Sequence, residues 1–179
     1  MKSSTTPDRA TQLQALSTRS FDIAIIGGGA TGLAIALEAS QRGYSVALIE
    51  RADFSSGTSS RSTKLLHGGV RYLAQGNIRL VREALRERRS LIRMAPELAH
   101  PLRFVMPAYR WYEKPFYGVG LHLYDLLSGP HSLGPTRIVD TAQTLIQSPG
   151  LRGIGLRGSV SYWDAQFDDS GMALAMART

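Results

Sequence analysis

The chain has 179 residues, 43% of them hydrophobic and 20% charged, which is one domain's worth of soluble globular sequence and enough to bury a core. It contains no cysteine, which excludes disulfides, thiolate metal sites and a cysteine nucleophile. The net charge of +7, from 21 Lys and Arg against 14 Asp and Glu, suggests an anionic partner, although most of the Arg residues are expected simply to solvate helix surfaces. Nucleic acid, acidic lipid headgroups and phosphorylated small molecules all meet that description.

The first twenty residues are rich in Ser and Thr, with Lys2, Arg9 and Arg19 and the single acid Asp8. They lack the apolar centre of a secretory signal, and only the scarcity of acids supports a transit peptide. They are expected to form a flexible extension over residues 1–20. No apolar run reaches the length of a membrane span.

Phe21–Ile26 is a short apolar run that stops at glycines, as a buried parallel strand does. Helix formers follow from Ala30 to the stop signal Gly43, and Ser45–Glu50 reads as a second buried strand. Strand, helix and strand within about 30 residues make a βαβ unit. Phe54 to Lys64 reads as a loop leading into a short helix, and Leu65 to Gly76 carries the pair Gly68-Gly69.

Asn77 to Ala95 predicts a long amphipathic helix with Val81, Leu85, Ile92 and Ala95 on one face. Arg88 falls inside that apolar stripe, which suggests a snorkelling side chain or an interface contact. Pro96 and Pro101 end the helix, and Arg103 to Trp111 reads as a strand that Pro107 confines to an edge or a bulge. Tyr117 to Leu127 reads as a short amphipathic segment. Asp140 is placed to cap a helix ending near Gln147. Ser159 to Trp163 is a further strand, and a helix follows from Asp168. His100, His122 and His131 show no metal spacing, and Asp164, Asp168 and Asp169 read as cap and loop residues, so no metal site is expected.

Gly27-Gly28-Gly29-Ala30-Thr31-Gly32 fits G-x-G-x-x-G. Gly27 serves a tight turn, Gly29 lets backbone approach a pyrophosphate, and Gly32 lets the helix pack on the strand. The helix start offers free N–H groups and a positive dipole end to phosphate. Glu50 ends the second strand about 20 residues on, where an acid accepts ribose hydroxyls and repels a 2′-phosphate. These features fit the ADP half of FAD or NAD and disfavour NADP.

Six donors, Thr58, Ser59, Ser60, Ser62, Thr63 and Lys64, lie just beyond the second strand, followed by His67-Gly68-Gly69-Val70-Arg71-Tyr72. Alone, that run suits either the far half of a dinucleotide or a Ser-rich surface loop. The whole series resembles the FAD-dependent glycerol-3-phosphate dehydrogenases: I-G-G-G-x-x-G, a strand ending in Glu, then T-S-S-x-S-S/T-K-L-x-H-G-G-x-R-Y. The likeness continues through Arg79–Leu85, Met94-Ala95-Pro96, Leu123-Tyr124-Asp125 and Tyr162-Trp163-Asp164 to Asp168-Asp169. It departs at Ser170-Gly171-Met172, where the family usually has Ala-Arg-Leu.

The resemblance implies an α/β fold: a Rossmann-like FAD-binding domain, incomplete beyond its βαβ unit and following segments, with the start of a mixed substrate or cap domain. On that scheme residues 21–97 begin the FAD domain, 98–158 belong to the substrate region, and 159–179 return to the FAD domain. FAD would be held by Gly27, Gly28, Gly29, Ala30, Thr31, Gly32, Glu50, Arg51, Thr58, Ser59, Ser60, Lys64, Leu65, His67 and Gly68. Arg71 and Tyr72 would face the substrate, sn-glycerol 3-phosphate, which is oxidised to dihydroxyacetone phosphate.

The resemblance further implies a membrane quinone as electron acceptor, or oxygen in related oxidases. It implies a cytoplasmic location, peripheral on the inner face of the membrane, and a homodimer for the full-length protein. Nucleic acid is not expected, because Glu83 and Glu87 interleave the Arg-rich helix. No catalytic base stands out. The parallel pattern begins without finishing, so the chain is expected to be the N-terminal part of a longer protein, inactive alone. The competing expectations are another flavoenzyme of the amino-acid-oxidase type and a non-catalytic fragment.

Overall fold

The computed structural model describes residues 8–179. The chain forms two compact units. One runs to Ser62 and resumes over Asp169–Thr179, and the other is Thr63–Asp168. The unit boundaries thus fall at 62/63 and 168/169, where the sequence suggested 97/98 and 158/159.

The first unit begins with helix α1, Arg9–Thr18, capped by Asp8, whose carboxylate accepts the Thr11 N–H at 2.8 Å. A helix therefore occupies much of the stretch expected to be a flexible extension; residues 1–7 lie outside the described residues. Strand β1, Ile23–Ile26, helix α2, Ala30–Gln41, and strand β2, Val46–Ile49, form the βαβ unit. The strands pair in parallel, from Ile23 opposite Val46 to Ile26 opposite Ile49.

Burial differs from expectation. Ile25 is buried towards α2, but Ile26 is 91% and Ile49 50% exposed on the opposite face. A parallel strand becomes apolar on both faces only when both are covered, and among the described residues one face of this pair is open. The unit is completed by a 3₁₀ turn at Thr58–Ser60 and helix α7, Asp169–Arg178. Ser62 donates its N–H and hydroxyl to the buried Asp169 carboxylate at 3.3 and 2.9 Å.

The second unit is built on strand β6, Ser159–Phe167. Strand β4, Ala99–Pro107, pairs antiparallel along its full length, from Ala99 opposite Phe167 to Pro107 opposite Ser159. Strands β3, Leu65–Leu66, and β5, Arg137–Val139, pair antiparallel with the opposite edge of β6. β4 starts four residues earlier than the sequence suggested. As an edge strand it tolerates both Pro101 and Pro107, which have no N–H to give a second neighbour.

Helices α3, Val70–Ala74, α4, Ile78–Met94, α5, Glu113–Ser128, and α6, Thr141–Gln147, complete this unit. Neither α3 nor β5 is legible in the local sequence pattern; both are too short to show a period. The core is Val81 and Leu85 of α4 against Tyr124 of α5, with Val70, Leu73, Leu127 and Tyr162 packed around it. Asp140 caps α6 as expected, accepting the Gln143 N–H at 2.8 Å. Asp140→Ala should cost about 1 kcal/mol, the usual value of an N-cap, read as a lower urea midpoint with an unchanged slope.

Candidate functional site

β1 delivers the chain into Gly27, whose φ of +106° makes the turn. The Gly27 N–H donates to the Ile49 carbonyl at 2.8 Å, so the loop is tied to the end of β2. Gly32 lies so close beneath that a Cβ there would collide with the Gly27 carbonyl oxygen and reach Ile25 Cγ2 at 3.4 Å. This is the close helix–strand approach that places the start of α2 over the turn.

The start of α2 is a cradle of donors. The Ala30 N–H gives to Ser59 Oγ at 2.9 Å, while no protein acceptor takes the Thr31 or Gly32 N–H among the described residues. Together with the helix dipole these groups suit a phosphate. Ser59 thereby lies against the glycine loop, 3.0 Å from where a Gly29 Cβ would stand. Thr58 and Ser60 occupy the same 3₁₀ turn.

Glu50 does more than offer an acid at a strand end. Its Oε2 accepts the Gly28 N–H at 2.7 Å and its Oε1 the Ala52 N–H at 2.8 Å. The Ala52 N–H first and the Gly28 N–H second hold its carboxyl below the usual glutamate value. A carboxylate has roughly four lone-pair positions, so two remain for hydroxyls. Arg51, next to it, is exposed.

A depressed carboxyl contributes stability above its unfolded pKa and loses it as pH falls through the folded one. The glycine loop should therefore loosen only in acid below the ordinary glutamate range. In an NMR titration the Gly28 and Ala52 amide shifts should share one midpoint below that range and stop titrating in Glu50→Gln. A midpoint at or above the unperturbed value would refute this.

The remaining expected site residues belong to the second unit. Lys64, at φ +56°, accepts the Phe167 N–H on its carbonyl at 2.9 Å. Leu65 pairs with Gln166 in β3. His67, Arg71 and Tyr72 are exposed, and Gly68 is buried. Gly69 at φ +82° turns the chain into α3, which carries Arg71 and Tyr72 on its outer side.

Sequence reasoning missed what holds this segment. The Gly68 N–H donates to both oxygens of Asp164 at 3.1 and 3.2 Å. Arg88 Nη1 donates to Asp164 Oδ1 at 2.9 Å and to Tyr124 Oη at 3.3 Å, and Nη2 to the His131 carbonyl at 3.0 Å. Arg88 and Asp164 are each only 2% exposed. Arg88 thus neither snorkels nor reaches an interface; it is an internal cation. Its place in an apolar stripe was the one signal the sequence offered.

Burial pushes the Asp164 carboxyl above its ordinary value, against the hydrogen bond and charge of Arg88 and the Gly68 N–H. Burial likewise raises the Tyr124 hydroxyl, and that of Tyr162 to about 12. Among the described residues no group of three His, Asp or Glu is arranged to hold a metal.

Residues 22–179 match the family model described as FAD dependent oxidoreductase. The chain is 46% identical to the mitochondrial glycerol-3-phosphate dehydrogenase of Rattus norvegicus over 97% of its own length and 25% of that protein. It is 46% identical to glycerol-3-phosphate dehydrogenase 2 of Mycobacterium bovis, over 96% of this chain and 30% of that one. It therefore spans about a quarter of the length of the curated relatives it matches. Among solved structures, the glycerol-3-phosphate dehydrogenase of Bacillus halodurans complexed with FAD superposes with a TM-score of 0.65 at 30% identity, over 95% of this chain and 27% of that one. With nearly its whole length matched by the family model, the chain belongs to the FAD-dependent oxidoreductases.

Proposed function

We propose that this chain supplies the ADP-binding loop and the start of the flavin and substrate region of an enzyme that oxidises sn-glycerol 3-phosphate to dihydroxyacetone phosphate. The observation that carries the substrate is the 46% identity, across almost the whole chain, to relatives of that name. Bound FAD supplies the two-electron oxidant for the secondary alcohol.

The chain's own groups bind and orient. The Thr31 and Gly32 N–H groups and the dipole of α2 face a pyrophosphate, and the spare lone pairs of Glu50 accept ribose hydroxyls. Gly27, Gly28, Gly29 and Ala30 shape that loop, and Arg51 adds positive charge beside it. Thr58, Ser59, Ser60 and Lys64 supply donors for the phosphates and the flavin. Leu65, His67 and Gly68 border the ring. Arg71 offers a planar fork to the substrate phosphate, with Tyr72 beside it.

The wider assignment is a quinone as acceptor and a homodimeric full-length protein, bound peripherally to the inner face of the membrane on its cytoplasmic side. No helix among the described residues is long and apolar enough to cross a membrane. No base is assigned, and the isolated chain is expected to turn over little or no substrate.

The test is FAD binding by the purified chain, followed through the flavin absorption spectrum, with dye-linked turnover of glycerol 3-phosphate measured alongside. Bound flavin without turnover is the expected result. Failure to bind FAD overturns the expectation that this chain holds the cofactor by itself, and measurable turnover overturns the expectation of an inactive chain.

A further inference from the structure

The two-residue ladder between β3 and β6 ends with Leu66 opposite Ala165. One step on in that register, His67 would face Asp164. There the backbone pairing stops and the Asp164 side chain takes over, receiving the Gly68 N–H on both its oxygens. Gly68 has no room for a side chain, because a Cβ would meet Tyr124 Oη and Leu85 Cδ2.

The carboxylate is itself immobilised. Arg88 Nη1 holds one oxygen at 2.9 Å, and Tyr124 Oη stands 3.4 Å from the other. Arg88 is in turn fixed by the His131 carbonyl at 3.0 Å. Beyond Gly68, the left-handed Gly69 redirects the chain into α3. Val70 and Leu73 of α3 pack on the Val81–Leu85–Tyr124 cluster, leaving Arg71 and Tyr72 outside.

A buried ion pair is weak evidence for stability, since apolar residues of similar volume often stabilise as well. What apolar residues cannot do is hold a loop N–H. The geometry points to Asp164, locked by Arg88 and Tyr124, as a positioning residue that fixes the His67–Gly68 peptide and the presentation of His67, Arg71 and Tyr72. Its functional meaning rests on the reading that these residues face flavin and substrate.

The experiment compares the 179-residue chain with Asp164→Asn and, as the milder change, Tyr124→Phe. Amide hydrogen exchange without ligand tests the pin. Gly68 to Tyr72 should exchange about tenfold to a hundredfold faster in Asp164→Asn relative to the Val81 and Val160 amides, as befits loss of a charge-assisted hydrogen bond. Tyr124→Phe should show the same pattern to a smaller degree. Equal acceleration of all these amides, or none at Gly68, overturns the proposal.

Affinity for ADP against FAD tests the consequence. Both variants should keep the wild-type affinity for ADP, whose proposed contacts lie in the first unit, and weaken FAD by up to about tenfold. A parallel loss of ADP and FAD, or no loss of either, overturns the positioning role. A wild-type chain that binds ADP but not FAD defeats the functional reading, and the exchange result then decides the pin alone.

Discussion

Gly32→Val should abolish FAD binding, lowering affinity by more than about a hundredfold, the scale of losing an anion's charge-assisted donors. Any Cβ at position 32 collides with the Gly27 carbonyl oxygen and stands 3.2 Å from the Gly27 carbonyl carbon. The loop cannot give way cheaply, because Gly27 is held by its φ of +106° and by its N–H bond to Ile49. α2 must therefore tilt, moving the Thr31 and Gly32 N–H groups off the loop and straining the Ala30 N–H bond to Ser59 Oγ. Overpacking of this kind also costs about 1–3 kcal/mol of stability. Fluorescence titration with FAD checks the first effect and thermal melting the second. A variant that bound FAD within about threefold of wild type would show that the close packing does not set the donor geometry.

Arg88→Met should destabilise the second unit by about 3–5 kcal/mol, the cost of stranding one member of a buried pair. That is a large share of the roughly 5–15 kcal/mol that holds a typical protein folded. Methionine fills much of the space but leaves Asp164 buried with the Gly68 N–H and the Tyr124 hydroxyl as partners. The sign with pH follows. A carboxyl whose folded pKa lies above its unfolded value favours the folded state when protonated. The deficit of Arg88→Met should therefore shrink as pH falls towards the ordinary aspartate range and reach its full size above the raised folded value. Urea unfolding across pH measures it. The double variant Arg88→Met with Asp164→Leu should recover part of the loss, because no charge is then left alone. No recovery would place the cost in packing and not in the stranded carboxylate.

What was legible in the sequence depends on neighbours along the chain, although the Asp8-capped helix α1 and the short α3 escaped it. The βαβ unit, the long helix α4 and the Asp140 cap follow from local periodicity, glycine placement and capping chemistry, and they stand within a residue or two of expectation. Arg88 was visible only as an error in a pattern, because the partner that explains it, Asp164, lies 76 residues away. A separation of 96 residues likewise hid the pin of Asp164 on Gly68. The open face at Ile26 and Ile49 escaped because an apolar run records what a strand can bury and not what covers it. Glu50 was legible as an acid in the right place. Its bonds to Gly28 and Ala52 were not, since they depend on how tightly the glycine loop folds back.

The central place of β6 has a consequence for biosynthesis. β3, β4 and β5 are all made before the strand they share, and three separate stretches of the second unit wait for residues 159–167. The first unit is also held open in time, since α7 follows β6 and its Asp169 closes on Ser62. At roughly 5–20 residues per second on the ribosome, the early segments spend seconds outside the exit tunnel with apolar edges and no template. Neither unit can close until the last of these segments emerges, so this chain should depend on holding chaperones more than one whose strands pair in the order they are made.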